Sequence, residues 1–242
     1  MSSILSAFAF LTRLPVRTEA ISDRDLGRSV GFFPLVGLVL GLATAGEAYG
    51  CARFLPPTMT AVIVVSTLAV LTGGLHLDGM ADLADGLAGG RGDRERTLAI
   101  MRDSRIGAQG AVAVFLLLAG KIAATAALVE SRDFLALVAI PVVGRFAVGP
   151  SIVLFPYARS EGLGRAFKGQ AGLPQLAIGF VTMAVVALVL GPPVPRAALG
   201  GLAVALLLGL GLRARLGGLT GDMYGATIEL AEVTAAFLAA VG

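Results

Sequence analysis

The chain has 242 residues, 56% of them hydrophobic and 14% charged, and its mean hydropathy is +0.87. Soluble domains carry about 25% charged residues, so an ordinary soluble enzyme is excluded. The net charge of +3 does not indicate a nucleic-acid partner, because the basic residues fall in short loops between apolar runs, as membrane orientation requires.

The chain opens with MSSILSAFAFLTRLPV. It has no basic stretch before its apolar run and no small-x-small cleavage site after it. It therefore predicts a short interfacial or half-buried helix that stays on the protein. Seven apolar segments follow, at 29–50, 57–75, 109–129, 134–155, 174–191, 197–216 and 223–241. Each is near the roughly 20 residues that cross a bilayer. The first contains Pro34 and several glycines, which membrane helices tolerate. The last is interrupted by Glu229 and Glu232. These segments predict an all-α, polytopic transmembrane helical bundle of six or seven spans with short amphipathic helices. No low-complexity linker divides it, so 1–242 reads as one integral membrane domain.

Basic residues fall into alternate loops. The segment before the first span holds Arg13, Arg17, Arg24 and Arg28, and 76–108 holds Arg91, Arg94, Arg96, Arg102 and Arg105. Arg159, Arg165 and Lys168 follow in 156–173, and Arg213 and Arg215 in 212–222. By the positive-inside rule these loops face the cytoplasm. Only Arg53, Arg132 and Arg196 fall on the opposite side.

Within 76–108 the stretch GGLHLDGMADLADG places Asp78, Asp82 and Asp85 at i, i+4 and i+7. That spacing puts three carboxylates on one helix face. Leu75, Leu77, Met80, Leu83 and Leu87 make the other face apolar, and no lysine or arginine lies between 54 and 90. A solvated polar face is the plain alternative. Unpartnered acids near lipid instead predict a divalent cation, and carboxylate oxygens suit Mg²⁺ or Mn²⁺. DLADG also matches the first half of D-x-x-D-G, a signature of membrane enzymes that move a phosphoalcohol from a nucleotide to a hydroxyl. The second half, with its paired aspartates a helical turn apart, does not follow, and Asp103 is the nearest later candidate for it.

Arg102 and Arg105 flank Asp103 and lead into the next span, so they are the expected phosphate ligands among the loop arginines. Lys121 lies about 18 Å into its span at 1.5 Å per residue. Arg145 lies mid-span in the next. Charges at that depth need a counterion or a function. The candidates are Glu47, Glu229, Glu232 or a substrate phosphate, and the sequence leaves structural pairing and substrate contact open. GGLTGD at 217–222 echoes GGLHLD at 73–78 and offers Asp222 to the same metal site. His76, the single histidine, reads as structural rather than as a base.

With these motifs in view, the chain resembles the cobalamin synthase (adenosylcobinamide-GDP ribazoletransferase) family. The resemblance rests on FLTRLPV, GFFPLVGLVLG, GGLHLDGMADLADGL, RERTLAIMRDSRIGAQG, GRFAV, YARSEGLG and GGLTGDMYGA. It implies a Mg²⁺-dependent enzyme of the bacterial cytoplasmic (inner) membrane, with its active site facing the cytoplasm. Such an enzyme joins adenosylcobinamide-GDP to α-ribazole, or its 5′-phosphate, and releases GMP, late in vitamin B12 biosynthesis. Its partners are those substrates and the lipid bilayer; the oligomeric state is left open. On this reading Asp78, Asp82 and Asp85 are catalytic, and the same three hold metal with Asp103 and Asp222. Arg102, Arg105, Lys121 and Arg145 bind substrate phosphates. The rival readings are a CDP-alcohol phosphotransferase and a transporter built on the intramembrane charges.

Overall fold

The computed structural model describes residues 3–16 and 22–241, so Arg17 lies outside the described residues. Within them the chain is helical, as expected, and no strand interrupts it beyond one isolated bridge between Tyr157 and Leu219. The helices are α1 Ser3–Leu11, α2 Asp23–Ser29, α3 Phe33–Cys51, α4 Pro57–Thr72, α5 Leu75–Gly90 and α6 Arg94–Ile100. There follow α7 Ala108–Glu130, α8 Phe134–Leu154, α9 Leu163–Gln170, α10 Leu173–Leu190, α11 Pro193–Leu216 and α12 Gly221–Ala240. A single 3-10 turn, Val30–Phe32, joins α2 to α3.

Among the described residues, six helical stretches are long and apolar enough to cross a membrane: α2 through α3, α7, α8, α10, α11 and α12. The expected span at 57–75 is α4. At 16 residues it qualifies only jointly with α5, from which it is bent by 90°. The 223–241 segment is one unbroken helix of 20 residues despite its two glutamates.

α8 is the centre of the bundle, with 83% of its apolar window buried. α3 lies directly on it because GLVLG supplies two glycines one helical turn apart. A Cβ on Gly37 would collide with the Pro141 carbonyl, and one on Gly41 with that of Val138. Close backbone contact of this kind is how membrane helices gain dispersion energy without a hydrophobic driving force. The outer helices carry the opposite signature. Leu188 on α10 is 85% exposed and Phe115 on α7 is 69% exposed, which marks a lipid-facing belt. The fold is therefore that of an integral membrane protein.

The short helices gather at one end. α1 packs inward through Ala7 and Leu11, both fully buried, and the Arg13 amide donates to the Leu71 carbonyl at 2.7 Å. Phe10 of α1, Phe33 of α3 and Phe167 of α9 form a ring cluster, with Phe10 and Phe167 edge to face at 4.6 Å. Such contacts add to area burial and fasten the amphipathic α9 to the bundle.

Candidate active site

Two glycine turns shape the site. Gly73 and Gly74 take φ of +64° and +69°, ending α4 and turning the chain into α5; Gly217, at +78°, ends α11 in the same way. Left-handed glycine is a common helix stop. α5 then runs across the starts of α12 and α7. A Cβ on Gly79 would strike the backbone of Asp222, so Gly79 lets the two acidic turns meet. Asp78 and Asp82 thereby come beside Asp222, although 140 residues separate Asp82 from it in sequence.

The loop after α8 is stitched to the same place. The Ala158 amide donates to the Leu219 carbonyl at 2.8 Å, and that of Leu219 to Pro156 at 2.9 Å. Arg94 clamps the junction from below, its Nε on the Leu216 carbonyl at 2.8 Å and its Nη2 on Ala158 at 2.9 Å. This seam delivers Arg159. Its Nη1 pairs with Asp222 Oδ2 at 2.9 Å, and its side chain is only 13% exposed. Its Nε and Nη2 are buried and have no hydrogen-bond partner among the described residues. Buried unpaired guanidinium donors are costly, and this pair sits where an anion would satisfy it.

The acids feel one another. Burial first, then the Asp78 and Asp222 carboxylates, push the Asp82 carboxyl up to about 6, with Arg159 acting in the opposite sense. Yet no three His, Cys, Asp or Glu side chains among the described residues form a ready-made metal cage. Tyr157 borders the site, its hydroxyl pushed up by burial and opposed by Arg159 and Arg102. Arg102 therefore lies within electrostatic reach of the site, with its side chain exposed to solvent.

The other expected residues are placed as follows. Asp85 turns to the start of α7, where its two oxygens accept from the Gly107 and Gly110 amides at 2.7 and 2.8 Å. A Cβ at Gly110 would collide with its carboxylate, which accounts for the glycines of RIGAQG. Asp103 pairs with Arg105 at 2.6 Å in an exposed turn, the Arg105 side chain being 86% exposed. Hydrogen bonds from that guanidinium bring the Asp103 carboxyl down to about 2. Lys121 bonds Glu229 and Glu232 at 2.5 Å each, and Arg145 pairs with Glu232. All four are at least 93% buried and form one ionic network inside the bundle. Glu47 instead accepts from Thr67.

Below Arg159 opens a cavity of about 240 Å³. Its mouth carries Asp78, Asp222 and Arg159, and its floor carries Phe33, Phe167, Ile152 and Ile228, each no more than 2% exposed. Arg159 is the site residue the sequence reading missed. In sequence it reads only as a loop cation; its burial comes from the pairing of YARS with GGLTGD, which neither motif shows alone.

Carboxylates facing one another across a helix crossing, with unpaired guanidinium donors at the rim of an apolar cavity, define a membrane-embedded protein equipped to hold a phosphate-bearing molecule. The family model described as cobalamin-5-phosphate synthase matches residues 3–240, and the chain belongs to that family. Among curated relatives, an adenosylcobinamide-GDP ribazoletransferase of Geotalea daltonii is 43% identical over 233 residues, covering 94% of this chain and 92% of the relative. The protein of that name from Pseudomonas paraeruginosa is 42% identical, over 96% of this chain and 95% of the relative. That from Desulforamulus reducens is 38% identical, over 100% and 97%. No solved structure matches.

Proposed function

We propose that this protein joins adenosylcobinamide-GDP to α-ribazole, or to its 5′-phosphate, and releases GMP, using Mg²⁺, at the cytoplasmic face of a bacterial inner membrane. The relatives' names and the family support the substrates. The observation that carries the chemistry is Arg159: mostly buried, tied to Asp222, and left with two buried donors that have no partner among the described residues.

In the reaction a ribose hydroxyl of the acceptor forms an O–P bond to the cobinamide-linked phosphorus. The anhydride bond breaks, its bridging oxygen leaves with GMP, and the hydroxyl proton goes to a carboxylate. Little covalent chemistry falls to the protein, so catalysis is positioning and charge neutralisation. The free Nε and Nη2 of Arg159 take pyrophosphate oxygens, with Arg102 closing from the solvent side. Asp82, half-buried beside Asp78 and Asp222, accepts the proton.

Asp78 and Asp222 would hold Mg²⁺, an ion that takes one or two carboxylates, keeps waters and shares substrate phosphates rather than filling an all-protein cage, which leaves Asp82 free to act as the base. When bound it would neutralise the pyrophosphate charge. Asp85, Asp103 and Arg105 support the site through the α7 cap and the preceding turn. Lys121 and Arg145 support it through the ionic network beneath.

The test is donor dependence. Arg159→Ala should raise the KM for adenosylcobinamide-GDP and cut kcat/KM by about 100-fold, the usual cost of losing one preorganised phosphate donor. Arg159→Lys should recover only part, since Lys lacks the bidentate fork. Wild-type kinetics in Arg159→Ala, at equal membrane expression, would remove the proposal's basis.

A further inference from the structure

The cavity under Arg159 has two polar groups without partners. His76 is 2% exposed, and both its ring nitrogens lack hydrogen bonds among the described residues. Tyr224 is 6% exposed and its hydroxyl is likewise unpaired. Both line the cavity, together with the rings of Phe10, Phe33, Tyr157 and Phe167. Unpaired groups at this depth call for a ligand atom or water. An aromatic-walled space with two fixed polar groups is suited to a flat, mostly apolar ring system.

Size and polarity narrow the choice. At about 240 Å³ the cavity lies below the roughly 300–1,000 Å³ of sites for drug-sized ligands. It takes one bicyclic base and excludes a corrin macrocycle. Guanine would bring a carbonyl, an amino group and ring nitrogens to a wall whose unpaired buried side-chain atoms, those of Arg159 at the mouth aside, are the two nitrogens of His76 and the hydroxyl of Tyr224. Each group left unpaired would keep its full desolvation penalty. A benzimidazole riboside has one free ring nitrogen, its other nitrogen being spent on the glycosidic bond. His76 or Tyr224 can donate to that nitrogen, and the ribose then points to the mouth, where Asp78, Asp222 and Arg159 stand.

We infer that this cavity is the acceptor-base subsite: it holds the apolar benzimidazole of the ribazole acceptor, with His76 and Tyr224 as its specificity-determining hydrogen-bonding groups. The inference rests on the proposed reaction for the identity of the acceptor.

The experiment titrates lipid-reconstituted protein with α-ribazole alone, following the ligand's own fluorescence, which no protein Trp obscures. A steady-state KM is measured for each substrate in parallel. His76→Phe and Tyr224→Phe should each weaken α-ribazole binding by about five- to tenfold, the worth of one buried hydrogen bond. Both should raise the acceptor KM and leave the donor KM within twofold of wild type. Val148→Phe, which fills the cavity from α8, should abolish binding with the fold intact by thermal melting. A merely structural His76 would lower melting temperature and kcat without this acceptor-specific split. Unchanged α-ribazole binding in all three variants overturns the inference. So does displacement of α-ribazole by guanosine, or a rise in donor KM alone, since the cavity would then hold guanine. Absence of GMP release from wild type would sink the proposed reaction, whereas the binding titration reads the subsite independently of turnover.

Discussion

Asp82 and Asp85 are three residues apart on one helix, and their surroundings give them different work. Asp82 feels the Asp78 and Asp222 carboxylates most, with Arg159 opposing them and Asp85 adding to them. Asp85 has both oxygens on the amides that open α7. Asp82→Ala should therefore abolish transfer while leaving insertion and melting temperature near wild type. Asp85→Asn places an amide N–H₂ against a backbone N–H, and a buried donor left unpaired costs about 1–3 kcal/mol. It should lower thermal stability by several degrees and activity only in proportion. Equal melting temperatures for the two variants, read in detergent by intrinsic Tyr fluorescence, would contradict this division. Glu232 offers a third case. It joins Lys121 to Arg145 deep in the bundle, and removing one member of a buried ionic set typically costs about 3–5 kcal/mol. Glu232→Ala should fail to accumulate in membranes, and stable expression at wild-type level would argue against the network.

Among the elements, the crossing of α5 over α12 makes the site. The sequence showed α5 as a helix with a clustered acidic face, because period and apolar flank both lie within 16 residues. It also showed the echo of GGLHLD in GGLTGD. It could not show that Gly79 and Asp222 touch, since contact between turns so far apart in sequence is a tertiary fact. Arg159 was hidden for the same reason, and Asp85 was grouped with its neighbours because spacing alone does not reveal what a carboxylate accepts. Lys121 and Arg145 were legible as charges too deep to be unpaired, with Glu229 and Glu232 among the candidate counterions. The choice between those and a phosphate needed the helix register. The element-scale prediction follows from the crossing: Gly79→Val, pressing on the Asp222 backbone, should separate the two turns and cost activity by at least about tenfold. The same change at Gly46, which has open space around it, should be tolerated. Comparable losses at both positions would contradict the account of the crossing.

For the molecule as a whole, α1, α9 and the two acidic turns gather at one end, where Arg13, Arg94, Arg102 and Arg159 also lie. Phe54, 86% exposed in the turn after α3, lies at the other end of that helix. With Cys51→Ser to remove the single native thiol, Phe54→Cys should react with a membrane-impermeant maleimide in intact spheroplasts. Gly92→Cys, in the turn between α5 and α6, should react only after permeabilisation. The reverse pattern would put the site on the outer face. Bundle composition made the fold class legible at this scale. It gives 57–75 as a span and does not show the 90° bend into α5, because Gly73 and Gly74 bend the chain without changing its hydropathy.

The central claim is that the meeting of Asp78, Asp82 and Asp222 with Arg159 drives phosphoryl transfer with a bound cation. The direct measurement is GMP release by purified, lipid-reconstituted protein given adenosylcobinamide-GDP, with and without α-ribazole, in Mg²⁺ and then in EDTA. The account predicts release that needs both the acceptor and the metal and falls by at least about 100-fold in Asp82→Ala and Arg159→Ala. Release that persists in EDTA, or in those variants, would contradict it.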